Sequence, residues 1–343
     1  MKPTFLLLFA ALLLLSCSQK PEKVERAFYY WKSNSYNFEE AEDSLIKTLK
    51  TQKLYVKFFE VQRDEMMGNI PAAKTQVFGY DGFKNDSIQV IPTVYITNDV
   101  FLKSSGAELD TLVSNMKYLL LKHYKENVSL TPPKEFQMDC DWTPKSRENY
   151  FYFLKQFKKA TGITISCTLR LYPYKYPDIM GVPPVDKVTL MCYNLVNPLE
   201  NDNKNSILDT DELSLYLNKR RDYPLHTDIA LPVFSWMQVY QNKRFRGLVY
   251  PEGPGIKKIL KQVKPLWYEV TKDTVIGDHY IREGDLVKYE EITEKKLQDA
   301  IAVIRDNVAF DDTLTVTLFH LDEYQLKNYS HEALDRLYTA FTE

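Results

Sequence analysis

Short apolar runs alternate with helical stretches along most of this chain. Arg26 to Trp31 and Leu54 to Val61 read as strands, and between them Phe38, Ala41, Leu45 and Leu49 recur at helical period. A poorly patterned stretch from Gln62 to Ser87 precedes a third strand, Ile88 to Ile96, weakened by Pro92. Leu109 to Tyr124 predicts a helix through Leu112, Val113, Met116, Leu119 and Leu120. Phe136 to Thr143 predicts a fourth strand, which turns through Thr143-Pro144 into a helix over 145–160 that Gly162 stops. Strands are expected again at Ile163 to Arg170, Lys187 to Tyr193 and Ile229 to Trp236. A Tyr/Pro-rich loop, Leu171 to Pro184, and a helix, Asp209 to Arg221, separate them. Glu294 to Arg305 (helix), Leu314 to Phe319 (strand) and a Ser330-capped helix to Phe341 end the chain.

Eight strands mostly alternating with helices predict an α/β protein, a (β/α)8 TIM barrel over residues 26–343, in preference to a doubly wound sheet. The strands are rich in β-branched and aromatic residues, as strands buried on both faces should be. One stretch departs from the alternation. Residues 266–280 and 286–292 read as strand, so a small β insertion is expected at about 253–292, between strand seven and its helix.

The first residues change the picture of where the chain works. Lys2 precedes an apolar run from Phe5 to Leu15, short for a membrane span, which reads as an export signal. Leu14-Leu15-Ser16-Cys17 resembles the bacterial lipobox, which implies a mature chain lipidated at Cys17 and a polar tether over 18–25. The expected address is the cell envelope, at the outer membrane, held by the lipid anchor. The tether carries no acidic surface-export signal, which favours periplasmic exposure. Of the remaining cysteines, Cys140, Cys167 and Cys192 each fall inside an expected strand and make no metal spacing, so they read as buried thiols.

Charge excludes more than it selects. A formal net charge of -2 without a basic stripe argues against a nucleic-acid partner. No glycine-rich phosphate loop appears and the five histidines have no metal-ligand spacing, so neither a cofactor nor a metal is expected. The chemistry gathers instead at strand ends. Gln137, Asp139, Asp141 and Thr143 share one face of the fourth strand, and stacked carboxylates lose hydration unless that face opens onto water or ligand. Trp31, Glu60, Arg170, Tyr193, Asn194, Trp236, Gln238, His320 and Asp322 fall at the carboxyl ends of other strands, where such barrels place their sites. Acids, an arginine, amides and flat aromatic faces describe a polyol site, hence a carbohydrate ligand.

Met138-Asp139-Cys140-Asp141-Trp142 resembles the fourth-strand signature of family 18 chitinase-like glycoside hydrolases, D-x-D-W followed by a catalytic glutamate. Met191-Cys192-Tyr193-Asn194 resembles the end of that family's sixth strand, and residues 230–236 resemble the seventh strand of glycosidase-like barrels in bacterial lipoproteins. The pattern breaks at its decisive position, where Thr143 stands in place of the glutamate. A threonine hydroxyl cannot act as a raised-pKa acid, and loss of a general acid costs roughly 10²- to 10⁴-fold in rate. Three readings follow. One is a glycosidase with relocated carboxylates, Asp139 or Asp141 working with Glu60 or Asp322. Another is a carbohydrate-binding barrel in which the two aspartates and Asn194 hold sugar hydroxyls while Trp31, Trp142 or Trp236 stack on ring faces, with Gln137, Arg170, Tyr193 and Gln238 as further binding residues. The last is a structural or partner-binding envelope lipoprotein.

Overall fold

A computed structural model describes residues 20–32, 40–72, 88–200, 203–218, 222–251 and 254–343. The apolar run and Cys17 lie outside the described residues. Eight parallel strands close on themselves: β1 (Lys23–Tyr30), β2 (Lys53–Asp64), β4 (Gln89–Ile96), β5 (Glu135–Asp139), β6 (Thr164–Arg170), β7 (Lys187–Met191), β8 (His226–Pro232) and β16 (Thr313–Phe319). Closure is made by β1, which pairs with β16 on one side and β2 on the other. The (β/α)8 TIM barrel read from the pattern is the fold.

Strand ends differ from the sequence reading for identifiable reasons. β1 starts at Lys23, inside the expected tether, because Glu25 is held by Lys23 at 2.9 Å and Lys53 at 2.5 Å at the barrel's amino end. β2 runs on to Asp64 and turns back as β3 (Gly68–Ala72), an antiparallel hairpin inside the stretch that had no clear pattern. Pro92 lies just below Thr93, where pairing of β4 with β5 begins, so it sits as if at a sheet edge. The helix Gly106–Asn127 carries a full capping box from Ser105 and Glu108, and Gly162 caps the helix Arg147–Thr161 at φ +66. The Tyr/Pro-rich loop contains two short helices, Leu171–Lys175 and Pro177–Met180.

The insertion is larger than expected and starts earlier, at Trp236. Its strands are β9 (Trp236–Gln241), β10 (Arg244–Val249), β11 (Leu260–Lys264), β12 (Trp267–Val270) and β15 (Leu286–Glu290). They form one antiparallel sheet, with a hairpin of β13 (Thr274–Ile276) and β14 (His279–Ile281) beside it. The strand expected over Ile229 to Trp236 joins the end of β8 to the start of β9. The break at Val233, whose N–H donates to the Phe319 carbonyl, is what separates barrel from insertion.

Two of the expected ligand residues are consumed in attaching that sheet. Glu290 is fully buried; it accepts from the Trp236 indole, from Gln238 Nε2 at 3.1 Å and from both Ser206 N and Oγ, at 2.7 and 2.8 Å. Lys288 Nζ, also buried, donates to it at 2.9 Å. Trp236 and Gln238 are therefore structural, fixing the insertion to the loop after β7.

The barrel interior is polar at its amino end. Lys187 lies 2.9 Å from Glu135 and 3.2 Å from Asp228, and Ser166 donates to Glu135 at 2.6 Å. Asp228 also accepts from the Thr315 N–H at 2.7 Å and meets His226 Nε2 at 3.1 Å, while His226 Nδ1 meets Asp311 at 2.6 Å. One layer up, Gln137 is fully buried, accepting from Tyr29 at 2.8 Å and donating to Thr189 at 3.1 Å and Ser166 at 3.4 Å. Its inward direction matches the strand alternation, but it has no surface left for a ligand, which corrects its assignment to substrate.

The Asp228 hydrogen bond and charge, with Asp311 beside it, raise the His226 pKa above its ordinary value. A raised folded pKa gives stability that is present below about 6.5, the unfolded value, and lost as pH rises through the folded one. His226→Gln is expected to flatten the fall in urea midpoint between pH 6 and 9, and a wild-type slope retained in the variant would refute the assignment. Removing one partner of a buried pair costs about 3–5 kcal/mol, the loss expected for Glu290→Ala in denaturant unfolding.

Candidate functional site

The site forms where β5 delivers its last inward side chain. Met138 and Phe136 point outward, Phe136 packing on Phe157 at 5.8 Å, so Gln137 and Asp139 point into the barrel. The strand stops at Asp139, which leaves Cys140 and Trp142 buried and Asp141 exposed at the rim. Asp139 and Asp141 thus meet at one mouth by different routes, one from the strand and one from the loop after it.

Neighbouring strands bring their partners to the same height. Glu60 is level with Tyr95 across β2 and β4, and Tyr95 with Asp139 across β4 and β5. Glu60 is directed inward by a register shift between Lys57 and Phe59. Residues three apart on a regular strand face opposite ways; the extra residue restores parity and lets Lys57 meet Glu60 at 2.7 Å. Two adjacent buried phenylalanines, Phe58 and Phe59, are the sequence trace of that bulge. Lys57 Nζ also lies 5.6 Å from the centre of the Trp31 ring.

Asp139 accepts from Thr168 Oγ1 at 2.6 Å. Burial pushes its carboxyl pKa up, the Thr168 hydrogen bond opposes this, Asp141 adds to it, and the outcome is about 6. Arg170 pairs with Asp141, whose Oδ1 lies 3.5 Å from Arg170 Nε. Arg170 Nη2 donates to the Asn194 carbonyl at 3.1 Å, fixing that residue at φ +53, which asparagine tolerates. The Asn194 Oδ1 atom is buried without a hydrogen-bond partner. Tyr193, Asn194 and Arg170 line a cleft of about 100 Å³ with Tyr172, Leu195 and Tyr216.

Sequence reasoning missed Tyr95 and Phe319. Burial, with Asp139, Asp141 and Glu60 around it, pushes the Tyr95 phenol up to about 12, so it stays protonated among three acids. Phe319 is the hub of the aromatic side: its ring lies 5.3 Å from Tyr193, 5.7 Å from Tyr29 and from Phe234, and 6.0 Å from Trp31. Tyr95 could have been found from its place second from the end of a strand, in step with Thr93. Phe319 gave no signal, being one more apolar residue beside the more conspicuous His320.

One expected acid–base residue, Asp322, does not join the site. Asp322 Oδ1 accepts from the Gln325 N–H at 3.0 Å and caps the short helix Glu323–Leu326. His320 is half-buried with its Nδ1 enclosed and unpartnered, and desolvation lowers its pKa, against the pull of Asp322. Thr143 does not cap the helix as the Thr-Pro pair suggested: the helix begins at Arg147, and Thr143 opens the turn before it. Its N–H donates to Ser146 Oγ at 2.9 Å, and its hydroxyl lies 3.3 Å from the same oxygen. Ser146 in turn donates to Asn98 Oδ1 at 2.5 Å. Trp142 is a core residue, its indole donating to the Met180 carbonyl at 3.2 Å.

Among the described residues, no group of three or more His, Cys, Asp and Glu is placed to hold a metal ion. The mouth has two arcs. Glu60, Asp139 and Asp141 stand on the β2–β5 side with Tyr95 between them; Trp31, Phe319 and Tyr193 stand opposite; and Arg170 joins the arcs. Carboxylates and a guanidinium satisfy hydroxyls, and the flat rings take the apolar face of a sugar-sized ligand.

No protein-family model and no curated protein sequence matches the chain. Solved structures do. The spore cortex-lytic enzyme SleL of Bacillus cereus is 14% identical with a TM-score of 0.52, over 91% of this chain and 75% of its own. A chitinase from Chromobacterium violaceum is 11% identical with a TM-score of 0.54, over 91% and 97%. YKL-39, solved in the presence of chitooligosaccharides, is 8% identical with a TM-score of 0.51, over 91% and 99%. At such identities the likeness is one of fold: the chain shares the TIM-barrel fold of these proteins.

Proposed function

We propose that this protein is a lipid-anchored envelope protein whose barrel mouth binds a glycan. One observation carries the reading: acids, Arg170 and an aromatic arc converge at the mouth of a chitinase-like barrel, while Thr143, where the family's acid would stand, is tied into a turn. Asp141 is the most available acceptor, its side chain 59% exposed. Arg170 holds it at the rim, Tyr193 and Tyr95 offer phenol donors, and Trp31 offers a ring face. Buried donors and acceptors left unpaired in the free protein, Asn194 Oδ1 among them, gain partners when sugar hydroxyls or amides arrive. The neighbours' names support the ligand class: two are lytic or chitinolytic enzymes and one was solved with chitooligosaccharides.

A second reading, slow glycoside cleavage, is favoured by Asp139. A carboxyl raised to about 6 stays protonated in mildly acidic solution and partly so toward neutrality, which a glycosidic general acid can use. Glu60, two strands away at the same height, is the facing carboxylate, though Lys57 already pairs with it. In this reading Asp139 donates to the leaving oxygen, and cleavage falls as pH rises through 6.

Isothermal calorimetry against chitooligosaccharides and peptidoglycan fragments is expected to show binding. Asp141→Ala should weaken it at least about tenfold, a loss of 1.4 kcal/mol, with circular dichroism unchanged. No heat from any glycan in such a panel would refute the sugar role. Asp139→Asn separates the readings: binding survives it, whereas any cleavage detected by chromatography disappears. Because the folded pKa of Asp139 is raised, the native state is favoured below about 4 and loses stability as pH climbs through about 6. The same variant is therefore expected to be more stable than wild type at pH 8 and no more stable at pH 4.

A further inference from the structure

Away from the mouth, a groove of about 720 Å³ lies against the carboxyl-terminal half of the helix Gly106–Asn127 and the residues that follow it. Tyr118, Leu121 and Leu130 line it among Lys117, Lys122 and Lys125, with Glu126 as the one acid and Ser114 at its edge. Tyr118 is 67% exposed and Leu130 82%. Single exposed apolar residues need no account, but here they adjoin one another and are flanked by lysines. Lys117 is committed to the Ala160 carbonyl at 2.6 Å, whereas Lys122 reaches Glu126 only at 3.9 Å.

The groove lies at a particular end of the barrel. Its helix begins beyond the carboxyl end of β4 and ends just before β5 starts, so residues 114–130 sit toward the amino ends of the strands. β1 starts at that same end, where the Lys20 ammonium donates to the Glu343 carbonyl. Cys17 precedes Lys20 by three residues, a reach of about 10 Å. A lipid on Cys17 would enter the bilayer at the amino end of the barrel, not at the mouth.

We propose that this groove rests on an anionic phospholipid surface beside the lipid anchor, so that the barrel stands on its amino end and the glycan-binding mouth faces away from the membrane. The proposal rests on the lipid-anchored reading above. Lys122 and Lys125 meet lipid phosphates, while Tyr118 and Leu130 enter the boundary between headgroups and acyl chains. Charge complementarity and the anchor's short reach single out the bilayer as occupant. The ligand of the mouth is then a glycan that projects toward the protein from beyond the bilayer surface.

The test uses the full lipidated protein in phosphatidylglycerol-containing vesicles with a nitroxide-labelled lipid as quencher. A fluorophore is placed on Leu130→Cys, or on Met66→Cys at the tip of the β2–β3 hairpin on the mouth side; Cys140, Cys167 and Cys192 are buried and remain unlabelled. The label at 130 should be quenched and the label at 66 should not. Lys122→Glu with Lys125→Glu should cut quenching at 130 by about threefold or more while the protein still floats with the vesicles. Quenching at 66 equal to or above that at 130 overturns the proposal. So does energy transfer between labels at 130 on two molecules, which would assign the groove to a second copy. Flotation with no quenching at either position sinks the docking surface and leaves the anchor standing, whereas failure to float removes the anchor reading and the docking with it.

Discussion

Closing a parallel sheet into a ring forces every second side chain of eight strands into one narrow column, and in this chain much of that column is ionisable. A charge there persists only if it is paired and hydrogen-bonded. The amino end meets the demand fully: Lys187 lies between Glu135 and Asp228, and His226, Ser166 and the Thr315 N–H take the remaining oxygens. Burial opposes the charge on Asp228, yet His226 and Lys187 bring its pKa down to about 2. The middle layer is neutral, an amide shared among Tyr29, Thr189 and Ser166. The carboxyl end is different. Asp139 has one hydroxyl for company and its titration is displaced upward instead of downward, while Asp141 has a guanidinium at the outer limit of contact. Pairing is complete where the column must only be stable and incomplete where it opens, which is where perturbed carboxyls mark function.

The inserted sheet solves the same problem by other means. It carries a fully buried lysine and glutamate of its own, Lys288 and Glu290, and spends the glutamate's oxygens on Trp236, Gln238 and the Ser206 loop. A buried pair of this kind adds little net stability, but it demands one geometry from every partner. The sheet is thereby fixed to the loop after β7, and that loop continues from Asn194. Rigid walls of this kind let a shallow cleft hold its shape without a ligand.

Much of this was legible in the residues and some was not, for reasons of period and parity. Alternation on β5 placed Gln137 and Asp139 inside correctly, because period-two reading needs only a regular strand. It could not say how deep each would lie, and Gln137, one layer down, is a core residue. Glu60 entered the mouth through a bulge, and bulges change parity without announcing themselves beyond a doubled Phe58-Phe59. Trp236 and Gln238 were misplaced because β8 and β9 run together as one strand-like stretch, and the break between them is a tertiary hydrogen bond from Val233 to β16. Asp322 looked like a rim acid, yet it is a helix cap; a short acid-led turn and a catalytic carboxylate share the same sequence signature.

The place of Thr143 acquires a physical meaning from this arrangement. A general acid must be buried enough to keep its proton and exposed enough to reach the glycosidic oxygen. In this mouth those two properties are divided: Asp139 is recessed and its carboxyl is raised to about 6, while Asp141 is exposed and paired with Arg170. Thr143, on the loop that could have combined them, is engaged with Ser146 and through it with Asn98 on the helix after β4. That loop is therefore braced, not poised to move a reactive group. A site whose proton holder is recessed and whose exposed acid is neutralised by a guanidinium is arranged to recognise hydroxyls, and this is the physical ground for ranking glycan binding above cleavage.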